Sequence, residues 1–318
     1  MSLRTRLIMF VLLFGSAVLT NIFALVYLAS SISRSLDAME QIRQRHLIAV
    51  QMNVHLRDAE AALYRYQING EAGFKSQFIE QLDNFSSDLA QYRALATEAN
   101  EQQWALALER AYQQALTTGS DLIELRDQQM ERMQDFLDTQ ADLSAFLSNE
   151  VMPSRPDDPE YQGIVAAMQD SSRAMLSAVT GYLASPDETK RVQFTDAVVS
   201  FQQAVNDFDE TARSDDEKRW VGEVIVRFNQ LKSLGTSLIG ERDLQQSQYA
   251  NFISIIFNAS QQTLVGQIEP HETEKFAQEQ RAILNVVGTA SVASILAAAV
   301  ISGFAIFFMV QLSRQINT

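Results

Sequence analysis

Cysteine is absent from the chain, and its 318 residues include only three histidines and five prolines. The missing thiols exclude a disulfide scaffold and any thiolate metal or redox centre. His46 and His55 lie nine positions apart, His271 is remote in sequence, and no HExxH spacing exists to assemble a zinc site. Basic residues are scarce as well: 25 Lys+Arg stand against 39 Asp+Glu, a net charge of −14 that leaves no basic face for nucleic acid. Period-two alternation of apolar residues is also missing, so strands are not expected. The carboxylates read as the solvated faces of amphipathic helices. We expect no catalytic residues, no metal and no cofactor.

Charge itself is missing in two places. Residues 7–33 and 282–313 contain no Asp, Glu, Lys or Arg, and each run exceeds the roughly 20 residues that a helix needs to cross a bilayer. A cleaved signal peptide is the alternative for the first, given Leu28-Ala-Ser-Ser31, but its apolar run exceeds the roughly 7–15 residues of a signal core. In the second, Ala290, Ser294, Ala298 and Ser302 form a stripe of small residues. Such a stripe admits a close neighbouring helix, or simply reflects alanine content. The expected division is an N-terminal segment 1–6, a first span 7–33, a domain 34–281, a second span 282–313 and a final segment 314–318. Only Arg4, Arg6 and Arg314 lie outside the domain and spans, so residues 34–281 carry 22 basic and 39 acidic groups, a net −17. Arginines and lysines flank both sides of the spans, and the charge pattern alone leaves orientation open.

Within 34–281, apolar residues recur at helical spacing between a few clear breaks: Asn69-Gly70-Glu71, 98–101, Pro153–Pro159, Ser185-Pro186-Asp187 and Ser214-Asp215-Asp216. They predict six helices, 34–68, 72–97, 100–151, 160–184, 187–212 and 215–281. Pro270 falls inside the sixth, where its ring and missing N–H predict a bend.

The most specific signal is an internal repeat at an offset of 116 residues. Phe78, Phe85, Tyr92, Trp104 and Tyr112 match Phe194, Phe201, Phe208, Trp220 and Phe228. Gly119-Ser-Asp-Leu-Ile-Glu-Leu-Arg-Asp127 aligns with Gly235-Thr-Ser-Leu-Ile-Gly-Glu-Arg-Asp243, and Tyr66 with Tyr182. The period is too long for a solenoid and marks one duplicated three-helix unit. Helix lengths at about 1.5 Å per residue then predict an all-α domain of two stacked four-helix bundles sharing the long third and sixth helices. The stripes Phe78, Leu82, Phe85, Leu89, Tyr92 and Phe194, Val198, Phe201, Val205, Phe208 supply its core.

In this arrangement, and in the segment Arg57–Ala72 reading RDAEAALYRYQINGEA, the chain resembles the helical bimodular sensor domains of bacterial transmembrane receptors, found in methyl-accepting chemotaxis proteins and sensor histidine kinases. The resemblance covers nearly the whole chain. It implies a homodimer in the bacterial inner membrane, a periplasmic sensor domain and cytoplasmic termini. Gln311–Thr318 looks like the entrance to a HAMP linker, so a signalling output is expected beyond it, of a type these residues do not reveal.

The resemblance also implies small organic acids as ligands, held by arginines on the first helix of each unit. On that basis Arg57 and Arg65 are candidates in the first unit and Arg173, the repeat match of Arg57, in the second. Arg126 and Arg242 are repeat-matched too, each followed by an aspartate. A guanidinium suits a planar anion because it donates two parallel hydrogen bonds. The alternative for all five is an ordinary ion pair. The net charge of −17 would favour amines or other cations at long range, though screening over about 8–10 Å makes the local site decisive. Two further readings stay open: recognition of a periplasmic binding protein through the Pro153–Pro159 tip, and a membrane-tethered scaffold that binds nothing.

Overall fold

The computed structural model describes residues 3–316 and is helical almost throughout. In chain order the elements are α1 (Leu3–Asn69), α2 (Ala72–Leu95), α3 (Ala99–Phe146), α4 (Pro159–Ala184), α5 (Glu188–Thr211), α6 (Asp215–Phe257) and α7 (Glu269–Ile316). No strand occurs among the described residues, so the all-α expectation holds. Asn317 and Thr318, the end of the expected linker entrance, lie outside the described residues.

Two expected helices change character before they end. The third leaves α geometry at Leu147 for a π-helical turn, Leu147–Val151, and a 3-10 turn, Met152–Ser154. The sixth is helical from end to end but not uniform. It is α6, an eleven-residue π-helix over Asn258–Ile268, and then α7, in which Pro270 is the second residue. A proline inside a continuous helix gives no N–H to the preceding turn, and its ring crowds the carbonyl four residues before it. The π-helix ends in that preceding turn, so the disturbance lies beside Pro270 and takes the form of a change in hydrogen-bond register that hydrophobic periodicity does not reveal.

The chain divides into two compact units. One comprises Met1–Val54, Phe85–Glu109 and Ala259–Thr318; the other comprises His55–Asn84 and Arg110–Asn258. In the first, the most apolar stretches of α1 and α7 have mean hydropathies of 1.6 and 2.2, and none of their residues is buried. Both helices are long and apolar enough to cross a membrane. The same unit holds a buried ionic knot. Arg45 donates through Nε and Nη2 to Glu272 at 2.8 and 3.0 Å, and Lys275 Nζ donates to Glu101 at 2.8 Å. Glu101 also accepts from the backbone N–H groups of Thr97 and Glu98, which ties down the connection before α3.

The second unit contains a four-helix core drawn from the end of α3, α4, α5 and the start of α6. Phe194, Phe201, Val205 and Phe208 are buried as the stripe requires, with Val198 half-buried. Phe201 stacks on Phe228 at 4.5 Å between ring centres. The duplication reaches atomic packing: Gly119 faces the Phe78 ring and Gly235 the Phe194 ring so closely that a β-carbon at either would lie under 3 Å from it. Glycine is required at both positions by this approach. Gly70, at φ +68°, closes α1 in the left-handed conformation that favours glycine.

Glu217, the repeat match of Glu101, begins α6 in the same way. It accepts from the backbone N–H groups of Arg213 and Ser214 and completes a capping box with Ser214. Arg155, from the proline-rich connection, grips it with two bonds of 2.7 and 2.6 Å. Burial pushes the Glu217 carboxyl up, but these hydrogen bonds outweigh it and bring the value down to about 2. A carboxyl held below its unfolded value of 4.5 adds stability that is complete above that value and lost as pH falls from there toward 2. Thermal melts followed by circular dichroism should therefore show a stability loss of up to about 3 kcal/mol across that interval. In Arg155→Met the melting point should be lower at neutral pH and its acid dependence flatter; an unchanged acid profile would contradict this assignment.

Candidate functional site

A cavity of about 800 Å³ opens in the second unit, within the usual range for small-molecule sites. Fourteen of its fifteen lining residues form seven pairs separated by 116 positions, among them Arg126 with Arg242, Gln129 with Gln245 and Met133 with Tyr249. A cavity lined by both members of each pair must lie on the axis that relates the two copies of the repeat, because that operation carries its wall onto itself.

Each arginine is placed by a motif, Arg-Asp-x-Gln, at 126–129 and 242–245. Successive helical side chains diverge by about 100°, so arginine and aspartate face different neighbours. Asp127 accepts a short hydrogen bond from the Tyr66 hydroxyl and one of 3.0 Å from Lys75 Nζ. Asp243 accepts a short bond from the Tyr182 hydroxyl and one of 2.6 Å from Arg191 Nη2. Tyr182 and Arg191 are the repeat matches of Tyr66 and Lys75, so the whole constellation is duplicated. Burial raises the Asp127 carboxyl, but the bonds from Tyr66 and Lys75 outweigh it and hold the group below its ordinary value.

With both aspartates engaged by tyrosines, Arg126 and Arg242 have no carboxylate partner among the described residues. Arg126 donates from Nη1 to Gln129 Oε1 at 2.6 Å and from Nη2 to the Ile68 carbonyl at 3.2 Å. Arg242 donates from Nη1 to Gln245 Oε1. The Nε atoms of both arginines and the Nε2 of Gln129 are buried without a hydrogen-bond partner among the described residues. Burial lowers the Arg126 guanidinium from its ordinary value, and the like charge of Arg242 lowers it further; burial lowers Arg242 as well. Both stay charged, since a guanidinium does not deprotonate under ordinary conditions. The cavity lining contains no Asp or Glu, although the 34–281 domain carries 39 of them.

The remaining nominated arginines are elsewhere. Arg57 is exposed. Arg65 is also exposed, with its guanidinium 5.7 Å from the centre of the Phe74 ring. Arg173 lies at the surface, paired with Asp170 at 3.1 Å. None of the three lines the cavity. Sequence reasoning passed over Gln129 and Gln245, although the shared Arg-Asp-x-Gln motif was visible at the same offset as the arginines.

Glu98, Glu101 and His271 also converge, with one potential ligand atom from each within 4.8 Å of the others. Lys275 Nζ stands 2.6 Å from Glu98 and 2.8 Å from Glu101, and Arg45 lies 3.4 Å from Glu101. These cations already balance the carboxylates, so a metal ion would have to displace an ammonium to be held there. No protein-family model matches the chain, and no curated protein matches it.

A half-buried cation without a counter-charge costs stability. Relief of that cost offsets the loss of each arginine's bond to its glutamine, so Arg126→Met and Arg242→Met should each shift the melting temperature by no more than a few degrees. A loss of more than about 1 kcal/mol in either would instead mark these arginines as structural.

Proposed function

We propose that the chain is the ligand-sensing and membrane-anchoring part of a dimeric receptor, of the helical bimodular sensor type that its sequence resembles. The observation that carries this reading is the pair of repeat-matched, carboxylate-free arginines facing one cavity, in a chain that also has two helices of membrane-spanning length. A stable scaffold gains nothing from such arginines, whereas an anion-binding site requires them. The reading places the domain in the periplasm of a bacterial inner membrane, between spans 7–33 and 282–313.

Signalling then follows from connectivity. The cavity-lining end of α6 is followed in sequence by the π-helix and by α7, whose apolar stretch is the second span. An anion that draws Arg242 away from Gln245 biases the packing of α6, and a ligand shifts a two-state equilibrium by its difference in affinity for the two packings. The π-helix favours this route, because such irregular turns absorb changes in helical register more readily than regular α-helix. A second copy of the chain is the natural partner: Leu47, Val50 and Val54 follow a 3-4 spacing on α1 and are 46%, 37% and 49% exposed.

The absence of cysteine makes the test direct. A single Ser294→Cys in the full chain, spin-labelled in lipid nanodiscs, reports the distance between the second spans of two copies. Among sulfate, monocarboxylates and dicarboxylates, any anion that binds by calorimetry should shift that distance, and should not do so in an Arg126→Gln/Arg242→Gln protein. If a bound anion leaves the distance unchanged, the domain is a tether and not a sensor.

A further inference from the structure

We propose that the cavity takes one ligand per chain, bearing two anionic groups on an apolar body, and that Leu183 fixes which end faces Arg126. The inference rests on reading this cavity as the receptor's ligand site and specifies what that ligand is.

The buried polar atoms of the lining that lack a partner among the described residues are all donors: Arg126 Nε, Arg242 Nε and Gln129 Nε2. A complementary ligand therefore supplies acceptors only, and two guanidinium charges in a wall free of carboxylates call for negative ones. The amide oxygens of Gln129 and Gln245 are neutral acceptors, each taking a hydrogen bond from the arginine three residues before it. A carboxylate that takes over from either amide forms a charge-assisted bond, roughly twice as strong as one to a neutral acceptor. The buried Nε atoms mean that each arginine turns as it makes this exchange.

Symmetry supplies the number of anionic groups. The arginines are related by the repeat, line one cavity, and are each tethered to the glutamine of their own copy, so each presents its own anion position. The cavity is also much larger than a single inorganic anion, and Met130, Met133, Leu183, Pro186 and Tyr249 supply apolar surface for the stem that joins two heads.

The symmetry is broken at one place. Gln245 donates from Nε2 to the Oε1 of Gln67, a short buried bond between the two copies of the repeat. The matching bond would run from Gln129 to residue 183, but residue 183 is leucine and has no acceptor. Gln129 Nε2 is left without a partner, although Gln129 is only 1% exposed. An unsatisfied buried amide is costly, and a ligand oxygen placed beside Arg126 removes that cost. The Arg126 end thus offers one donor more than the Arg242 end and takes the better acceptor of an unsymmetrical dianion.

Calorimetry on the full chain in nanodiscs tests this with a series of α,ω-dicarboxylates, the monocarboxylates of equal length, and sulfate. The expected result is one dicarboxylate per chain, at least about tenfold tighter than its monocarboxylate, with a preferred stem length. Arg126→Gln and Arg242→Gln should each lose about tenfold or more. Leu183→Gln should restore the missing amide pair and weaken the dicarboxylate by about tenfold, and Gln129→Leu should weaken it similarly; melting curves establish that each variant is folded. If monocarboxylates or sulfate bind as tightly as any dicarboxylate and still need both arginines, the two-headed ligand is wrong while the receptor reading stands. If no anion binds, both readings fail. If dicarboxylates bind but Leu183→Gln and Gln129→Leu leave affinity unchanged, the assigned orientation is overturned.

Discussion

The hydrogen bond from a tyrosine on the first helix of each repeat to the aspartate of Arg-Asp-x-Gln is the interaction on which the site depends. Were Asp127 or Asp243 free, it would be the nearest counter-charge for the adjacent arginine. Tyr66 and Tyr182 hold these carboxylates instead, with Lys75 and Arg191 supplying the balancing positive charge. The arginines are left to face the cavity with only amide and carbonyl acceptors. An overall acidic domain can in this way keep a positive interior wall, because the carboxylates nearest to it are already committed to other partners.

Duplication explains both the strength and the weakness of the site. Two copies of one three-helix unit pack about an axis, and any side chain near that axis meets its own counterpart. For Phe and Gly pairs the outcome is a core used twice; for arginines it is two like charges lining one cavity. Departures from the repeat are therefore informative. Gln67 against Leu183 breaks a hydrogen-bond pair, and Tyr64 against Thr180 and Met133 against Tyr249 make the two walls chemically different. A cavity that began symmetric has become one with two distinguishable ends.

Much of the fold was legible in the sequence because duplication supplies a check that periodicity alone does not. Trp104 with Trp220 and the paired Phe stripes set the register, and the breaks at Gly70, Pro186 and Ser214 ended helices where expected. The π-helix at Asn258–Ile268 was not legible, since a one-residue change in hydrogen-bond register leaves the apolar pattern almost intact. Of the five arginines nominated, the first-helix candidates Arg57, Arg65 and Arg173 rested on resemblance and lie at the surface. Arg126 and Arg242 rested on the repeat and line the cavity together. The following aspartate made them look structural; only the tertiary contact with Tyr66 and Tyr182 shows that this carboxylate is engaged elsewhere.

The central claim, that Arg126 and Arg242 are the anion contacts, is tested most directly by arginine Nε–H nuclear magnetic resonance on the full chain during titration with a dicarboxylate. The Nε–H signals of Arg126 and Arg242, assigned by their disappearance in Arg126→Lys and Arg242→Lys, should move together and saturate at one ligand per chain. Movement of the Arg57, Arg65 or Arg173 signals with those of Arg126 and Arg242 unchanged would contradict the account.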